Sequence, residues 1–578
     1  MKNDTFSTIL HFLHWNALND PRKDAFCFLN EKGVLTECLS YAELDLYAFK
    51  AGVHLQKLTT PGQRILLLFP ESIDFVSAFF GALYANLIAV PVQYSYKEIM
   101  PHRLNHIIND CKPSLLMTTR EVARHITTSH PNLVQNLHSK LALWEDVLTS
   151  SDIFTAHHID SSQKGAYIQY TSGTTGKPKG ILVMHDKLLN NLSDMAAVAE
   201  HNSTSSTMSW LPFFHDMGLI AGILLSVYNG VTSCLMSATN FLSDPVSWLY
   251  NISRFKITHS IAPNFAFELC LANAGRRNKN SLDLSHLRYL ANCGEPVIPE
   301  TILRFEQRFR TAHLKKNVIK PCYGLAEATL KVTAPSMLSP VEYLWVDAEQ
   351  LVEHRIVVTP PRAKGSRLLV GCGKPPIDTN ILIVDPESNA PCQPSTIGEI
   401  WISGPSVARE YLNDNEASSY RFNASPADSN DQKQYLRTGD MGFFYNRELY
   451  IMGRLQDRLL LNGRFQYPHE IEQCAEKAQP AFRRGRTTAF LYDKEGTQLV
   501  LITSMNRVNS QKTRFPNDLF EPVTKSVSQA FGIRSIRICV VKPSHIAVTS
   551  SGKLKRSEIQ EKYHQGLLQP LYEYSSVS

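Results

Sequence analysis

The chain has 578 residues, 43% hydrophobic and 19% charged, with 59 Lys plus Arg against 53 Asp plus Glu and a formal net charge of +6. That length exceeds what one hydrophobic core usually supports, so roughly two to four domains are expected, and the composition is that of an ordinary soluble globular protein. The basic excess is dispersed apart from clusters such as AGRRNKN and AFRRGR, which argues against nucleic-acid binding, and the 11 Cys contain no CxxC pair, which argues against a zinc ribbon or thioredoxin-type site and suits reduced cytosolic thiols.

The amino terminus, MKNDTFSTILHFLHWNALND, carries Asp4 early and breaks its apolar part with His and Asn, so it is not a signal peptide. RILLLF and LIAVPV are short apolar runs flanking the helix-like IDFVSAFFGALYA, so strand, helix and strand alternate early. GAYIQY and GILVMH read as strands. The next stretch, DKLLNNLSDMAAVA, places Leu188, Leu192, Met195 and Ala199 on one helical face, with Asp186 as its cap. Met217 to Ser243 is free of charged residues and long enough to suggest a membrane span. The YNG at Tyr228 to Gly230 breaks it, however, and a buried helix followed by a buried strand is the better reading. PETILRFEQRFR begins a helix with Pro299 near its first position, and the chain then becomes strand- and turn-rich from VDPESNAPCQPST onward. The alternation predicts an α/β fold of mixed or parallel sheets covered by helices.

A smaller α+β unit is expected to start near Gly453. DRLLLNGRFQY reads as strand, Asn462-Gly463 turn and strand; PHEIEQCAEKA as a helix from Pro468; and TTAFLYDKEGTQLVLITSM as a hairpin turning at Gly496. DLFEPVTKSVSQAF puts Leu519, Val523, Val527 and Phe531 on one helical face, and SIRICVV is read as the final strand.

The stretch with the strongest chemical content is YTSGTTGKPKG, from Tyr170 to Gly180. Its 11 residues hold three Gly, three Thr, one Ser and two Lys. Successive small residues let backbone N–H groups converge as a nest for phosphate oxygens, and the hydroxyls and lysines add donors and positive charge. Neither GxxxxGK[ST] nor GxGxxG can be laid on it. A polar hairpin would explain the glycines but not the density of hydroxyls beside two lysines.

This loop resembles the phosphate loop of the adenylate-forming superfamily: acyl-CoA synthetases, adenylation domains and luciferases. Six further motifs follow in the order of that superfamily and extend the resemblance over nearly the whole chain: NCGEPV at Asn292, YGLAEATL at Tyr323, GEIWISG at Gly398, RTGD at Arg437, GRLQDRLLLNGRFQYPHEIE at Gly453 and SSGKLKR at Ser550. Within the superfamily, SWLPFFHDMGL at Ser209, IAPNFAFEL at Ile261, GEPV and YGLAEATL are similar to the fatty acyl-AMP ligase branch, as is an insertion at about residues 336–371. The resemblance implies a large domain over residues 1–452, a hinge at 453–457 and a small mobile domain at 458–578 carrying the catalytic lysine. It also implies ATP and Mg²⁺ as cofactors, a long-chain acid as substrate, and a separate acyl carrier protein, whose phosphopantetheine thiol takes the acyl group. The insertion is thought to restrain the small-domain movement that transfer to coenzyme A needs.

Carried over position by position, the resemblance assigns the β- and γ-phosphates to Thr171, Ser172, Gly173, Thr174, Thr175, Gly176, Lys177 and Lys179, and Mg²⁺ to Glu327. Asp440 would accept hydrogen bonds from the ribose hydroxyls, Tyr323 would stack on adenine, and the backbone of Gly294, Glu295 and Pro296 would flank the base. Gly324 and Ala326 belong to the same nucleotide-binding motif, and Arg454 matches an arginine that contacts phosphate or ribose near the hinge. Lys553 matches the catalytic lysine, whose ammonium bridges the incoming carboxylate and the α-phosphate, and His215 would lie near the reacting carboxylate. Phe213, Met217, Ile220 and Phe265 are candidate walls of the acyl pocket. The chain departs from the family pattern at Gln456, where Asp or Lys is usual, and in HIAVTSSGK, which lacks the usual proline. Two alternatives stay open: an acyl-CoA synthetase, and an inactive relative that only binds nucleotide or acyl groups.

Overall fold

The computed structural model describes residues 6–94, 101–129, 141–149, 164–171, 178–275, 282–427, 433–493, 498–505, 516–549 and 552–576. Two mostly parallel sheets carry the first half of the chain. In the six-stranded sheet the spatial order is Leu141–Leu143, Leu115–Thr118, Arg64–Leu67, Ile88–Pro91, Gly165–Tyr170 and Gly180–Met184, and only the last pair is antiparallel. The seven-stranded sheet runs Ile319–Pro321, Tyr289–Asn292, His259–Ala262, Ser206–Ser209, Thr232–Met236, Asp24–Leu29 and Leu35–Ser40, antiparallel only at the last pair. The parallel strands of the six-stranded sheet are near-continuous apolar runs, as expected where helices cover a sheet, whereas those of the seven-stranded sheet also bury Thr207, Ser209, Ser233, His259, Ser260 and Asn292.

Local sequence accounts for many element ends. The helix Tyr41–Leu58 starts at a capping box, in which the Glu43 N–H donates to Ser40 Oγ and the Ser40 N–H donates to Glu43 Oε2. Pro299 and Pro468 open their helices at the first turn, where a missing N–H costs nothing. Met217–Leu224 winds as a π-helix that continues as Leu225–Asn229, stops at Gly230 with φ +65°, and is followed by the strand Thr232–Met236. The predicted buried helix and strand are therefore present, and no helix among the described residues is long and apolar enough to cross a membrane.

Three expectations are corrected. The helix Met195 belongs to begins at His185 with Met184 as cap, so Asp186 lies inside the first turn, where its carboxylate meets the helix dipole instead of capping it. SIRICVV is not the final strand: Ile536–Val541 also pairs with Pro570–Ser575, antiparallel, and closes a four-stranded sheet. Cys27 and Cys38 face each other across adjacent antiparallel strands, with Cα atoms 4.1 Å apart, and form a disulfide, so not all thiols are reduced. Strand register, invisible in the spacing of the cysteines, brings them together. The expected turn at Gly496 lies outside the described residues, though the strands it would join, Thr488–Tyr492 and Gln498–Ser504, pair antiparallel.

Residues beyond about 458 build their own apolar clusters, one around Ile471, Leu501, Val523 and Ile538 and another around Phe490, Val541 and Ile559. Asn462 and Gly463, with φ +51° and +77°, make the tight turn between Leu459–Leu461 and Arg464–Gln466. Between 336 and 371 the chain forms an antiparallel pair, Tyr343–Asp347 with Ser366–Val370, joined through the short helix Ala348–Val352. This segment meets the later residues directly: Arg367 Nη1 lies 2.5 Å from Glu470 Oε1 and Arg464 Nε 3.1 Å from Glu353 Oε1, and Tyr467 packs in one cluster with Leu344, Val346 and Met452.

The helices Tyr41–Leu58 and Ile73–Tyr84 approach so closely that a Cβ on Gly81 would lie 2.4 Å from Ala51 Cβ. Gly81→Leu should therefore destabilise the protein by about 2 kcal/mol through overpacking, read as a lowered thermal midpoint, whereas substitution at the open Gly275 should change it little.

Candidate active site

Parallel strands in open α/β sheets present their carboxyl ends to one crevice, and loops leaving those ends build the site. Here Thr171 follows Gly165–Tyr170, His215 follows Ser206–Ser209, and Phe265 follows His259–Ala262. Gly294 to Pro296 follow Tyr289–Asn292, and Tyr323 follows Ile319–Pro321. All of them line one cavity of about 1400 Å³, together with Glu327, Asp440, Arg454 and Lys553 from later in the chain. Ser172, Gly173, Thr174, Thr175, Gly176 and Lys177 lie outside the described residues. Of the loop, Thr171 N–H donates to the Lys179 carbonyl at 3.1 Å, and Lys179 Nζ pairs with Asp414 Oδ2 at 3.0 Å over the ring of Tyr411.

Asp440 is built into a strand turn by a buried ion pair. Glu399 Oε2 accepts from Arg437 Nε and Nη2 at 3.1 and 2.8 Å and from Trp401 Nε1 at 2.9 Å, while Glu399 Oε1 accepts the Gly439 N–H at 3.0 Å. Gly439 has φ +70°, and a Cβ there would lie 2.9 Å from Arg421 Nη1, which donates to the Arg437 carbonyl. The left-handed φ favours glycine there, whereas the end of the Arg421 side chain could move aside. Asp440 then accepts from Tyr323 Oη at 2.7 Å and faces Arg454 Nε at 3.6 Å across the antiparallel register. Burial pushes the Asp440 carboxyl above its usual value, against the opposing pull of Arg454 and the Tyr323 hydroxyl. Glu399 and Arg437 stand in the quoted motifs GEIWISG and RTGD, but sequence reasoning assigned them no role because their pairing joins two strands.

Glu327 sits on a short 3₁₀ turn, where Tyr411 Oη donates to Oε1 at 2.7 Å, and its Oε2 has no hydrogen bond among the described residues. Next to it, Gly324 allows a close backbone approach: a Cβ there would overlap the Leu330 carbonyl oxygen at 1.8 Å. Ala326 is buried in the same turn.

Lys553 reaches this cavity from the far end of the chain. Its N–H donates to Thr549 Oγ1 at 3.0 Å and its carbonyl accepts the Thr549 N–H at 2.7 Å, in a turn through Gly552 at φ +90°. The turn is seated on the Phe265 ring, which would lie 2.4 Å from a Cβ on Gly552. Arg486 Nη1 donates to the Gly552 carbonyl at 3.1 Å. The Lys553 ammonium packs against Gly294, 2.9 Å from where a Cβ on that residue would stand. Asp216 and Glu295 lie in its field. Burial raises the Asp216 carboxyl, but His215, 2.5 Å away, and Lys553 together hold it below its usual value. Burial dominates at Glu295, which stays above its usual value although the Phe265 N–H and Lys553 oppose the shift. The Glu295 carboxylate accepts the Phe265 N–H, and Gly294, Glu295 and Pro296 all line the cavity.

Of the four expected wall residues, Met217 and Phe265 line the cavity. Phe213 and Ile220 are buried in the main core outside its lining, Phe213 with its ring 5.7 Å from Phe75. Met195, Val198, Ala221 and Leu225 supply apolar lining that local sequence did not single out as pocket, because the helix face that packs on the sheet and the one that borders the cavity are both apolar. Removing Glu399 would leave the Arg437 charge buried and unpaired. Glu399→Leu should therefore cost about 3 kcal/mol or more in chemical denaturation, and restoring the acid as Glu399→Asp should recover part of it.

A family model for AMP-binding enzymes matches residues 13–412. Over 98% of its length this chain is 33% identical to the medium-chain fatty acid–acyl-carrier-protein ligase JamA of Moorena producens, covering 97% of that protein. A fatty acyl-adenylate ligase from L. pneumophila, solved with acyl adenylate and pyrophosphate, superposes with TM-score 0.75 at 30% identity over 99% of this chain and 98% of that one. A structure from work on fatty acyl-adenylate ligases of E. coli and L. pneumophila reaches TM-score 0.86 at 27% identity, over 97% and 99% of the two chains. With its crevice of converging strand ends and a match that spans most of its length, this chain belongs to the family of AMP-binding enzymes, the adenylate-forming ligases.

Proposed function

We propose that the protein activates a medium- or long-chain fatty acid with ATP, and then passes the acyl group to the phosphopantetheine thiol of a separate acyl carrier protein. In the first step a carboxylate oxygen bonds to the α-phosphorus and pyrophosphate leaves with the electrons of the broken P–O bond. In the second the thiol sulfur bonds to the acyl carbon, the thiol proton is lost, and AMP leaves. The observation that carries this reading is the position of Lys553, whose ammonium rests against Gly294 in the cavity shared by Asp440 and Glu327. The names of the relatives support the choice of acid and acceptor: one is a fatty acid–acyl-carrier-protein ligase and another was solved with acyl adenylate.

Two anions must meet, so the barrier is lowered by cations aimed at the developing charge. Lys553 is assigned to the carboxylate and α-phosphate, and Lys179 with Thr171 and the Ser172–Lys177 segment to the outer phosphates. Asp440, held from behind by Tyr323 and Arg454, is assigned to the ribose hydroxyls. Tyr323 donates to Asp440 and thereby orients that carboxylate as well as offering its ring to the base. His215 orients Asp216 beside Lys553. The residues also fit Mg²⁺: one oxygen of Glu327 is engaged by Tyr411 and the other makes no hydrogen bond among the described residues, as expected for a cation held by one carboxylate and phosphates. Bound there, Mg²⁺ would neutralise phosphate charge.

The separate apolar clusters beyond residue 458 support a small domain at 458–578 joined through 453–457. The Arg367–Glu470 and Glu353–Arg464 pairs support a restraining role for the 336–371 segment on that domain, disfavouring coenzyme A as acceptor. The nine cysteines that stay free support assigning the reaction to a reducing compartment such as the cytoplasm.

Lys553→Ala should reduce ATP-dependent pyrophosphate exchange by on the order of 10²–10³ while largely sparing ATP binding; near-wild-type exchange would refute the assignment. Labelled dodecanoate, given with ATP and Mg²⁺, should move to a phosphopantetheinylated carrier and stop at the adenylate with coenzyme A. Efficient dodecanoyl-CoA formation would instead make the protein a synthetase.

A further inference from the structure

The same cavity is also lined by residues of the helix His185–Val198 and of the neighbouring strands, and these are of mixed character. Met195, Val198 and Leu330 are apolar, but Lys331 lines the same space and is only 8% exposed. Asn191 clamps its backbone, Oδ1 accepting the Lys331 N–H at 3.0 Å and Nδ2 donating to its carbonyl at 2.8 Å, so the strand cannot rotate the side chain outward. The Lys331 ammonium makes no hydrogen bond and no ion pair among the described residues. Asp194 acts on it only at longer range, and burial lowers its affinity for the proton in spite of that carboxylate. The residue is largely buried while its ammonium opens on a ligand cavity without an ion pair among the described residues, and such a group points to an acceptor that arrives with the ligand.

Other polar groups gather at this end. Tyr289 Oη lies 3.7 Å from Cys322 Sγ, in the field of Lys331, and donates to the Pro335 carbonyl, which leaves a lone pair on its oxygen. His259 stacks near Tyr289, and His201 stacks on His259 with ring centroids 4.0 Å apart. Burial lowers His201 to about 3, so its imidazole is neutral, and its buried Nδ1 has no hydrogen-bond partner among the described residues. A pocket built for a plain alkyl chain would gain by placing Leu or Met at these positions.

We propose that the preferred acid carries an acceptor oxygen remote from the carboxylate that is activated, as a hydroxyl, oxo or second carboxylate group, and that Lys331 receives it. The proposal rests on the adenylation reading. It makes Lys331 a specificity residue that touches the distal part of the substrate and takes no part in bond making.

The test measures ATP-dependent pyrophosphate release with acids of eight, ten and twelve carbons, each supplied plain, ω-hydroxylated and as the α,ω-dicarboxylate. At one or more lengths the wild type should use an oxygenated acid with kcat/KM about 10-fold or more above the plain acid, because a site built to bond an oxygen rejects the analogue lacking it. Lys331→Met should remove or reverse that ratio while activity on the plain acid holds or rises; Lys331→Gln serves if the methionine variant fails to fold. Plain acids used at least as well as oxygenated ones at every length, or a ratio unchanged in the variant, would overturn the proposal. No release with any acid would instead count against the adenylation reading beneath it.

Discussion

The cleft depends on keeping charge out of water without leaving it unpaired. Glu399 and Arg437 show how this is done: one carboxylate takes two guanidinium N–H groups, an indole N–H and the Gly439 N–H, so both ions are satisfied in a site where neither could stand alone. The consequence is mechanical. The pair locks the strand turn at Gly439, and the turn sets Asp440 between Tyr323 and Arg454. Without it the carboxylate that faces the cavity would have no fixed direction.

The same logic extends to groups brought from the end of the chain. Arg556 donates through Nε and Nη2 to the two carboxylate oxygens of Glu472, at 2.8 and 2.7 Å, and Glu476 accepts the N–H groups of Gly485, Arg486 and Thr487. These contacts shape the frame from which the Thr549–Lys553 turn projects. Lys553 is then held by geometry around its backbone, while its ammonium lies in the fields of Asp216 and Glu295 and makes no ion pair among the described residues. A cation held in this manner is poised to respond to a new anion, since its own partners do not saturate it. The ion pairs of Arg367 and Arg464 belong to a different class. Arg464 and Glu353 are about half exposed, so that pair is worth little in stability by itself. Together with Tyr467 packed against Leu344 and Val346, such pairs make a contact whose strength is modest and whose position is well defined.

Much of this was legible before any coordinates. The short apolar runs RILLLF and LIAVPV marked two parallel strands of the six-stranded sheet, Pro299 and Pro468 marked helix starts, and Asn462-Gly463 marked a tight turn, because each rests on backbone chemistry confined to neighbouring residues. The helix and strand inside Met217 to Ser243 were separable for the same reason, since Gly230 adopts a left-handed conformation that ends a helix cheaply. Asp186 was misplaced by two residues, because the helix starts already at His185 behind Met184, whose side chain makes no cap.

By itself the sequence determined the alternation of elements, the glycine- and hydroxyl-rich loop with its lysines, and the order of motifs that identified the family. Those features are local, or are carried by residue type and order alone. Tertiary structure decided which apolar side chains face the cavity and which face the core, and so moved Phe213 and Ile220 away from the pocket. It also decided that Cys27 meets Cys38, that Glu399 serves Arg437, and that Lys331 turns inward. Each of these is a relation between residues on different strands or helices, set by sheet register and close packing. No spacing along the chain encodes it.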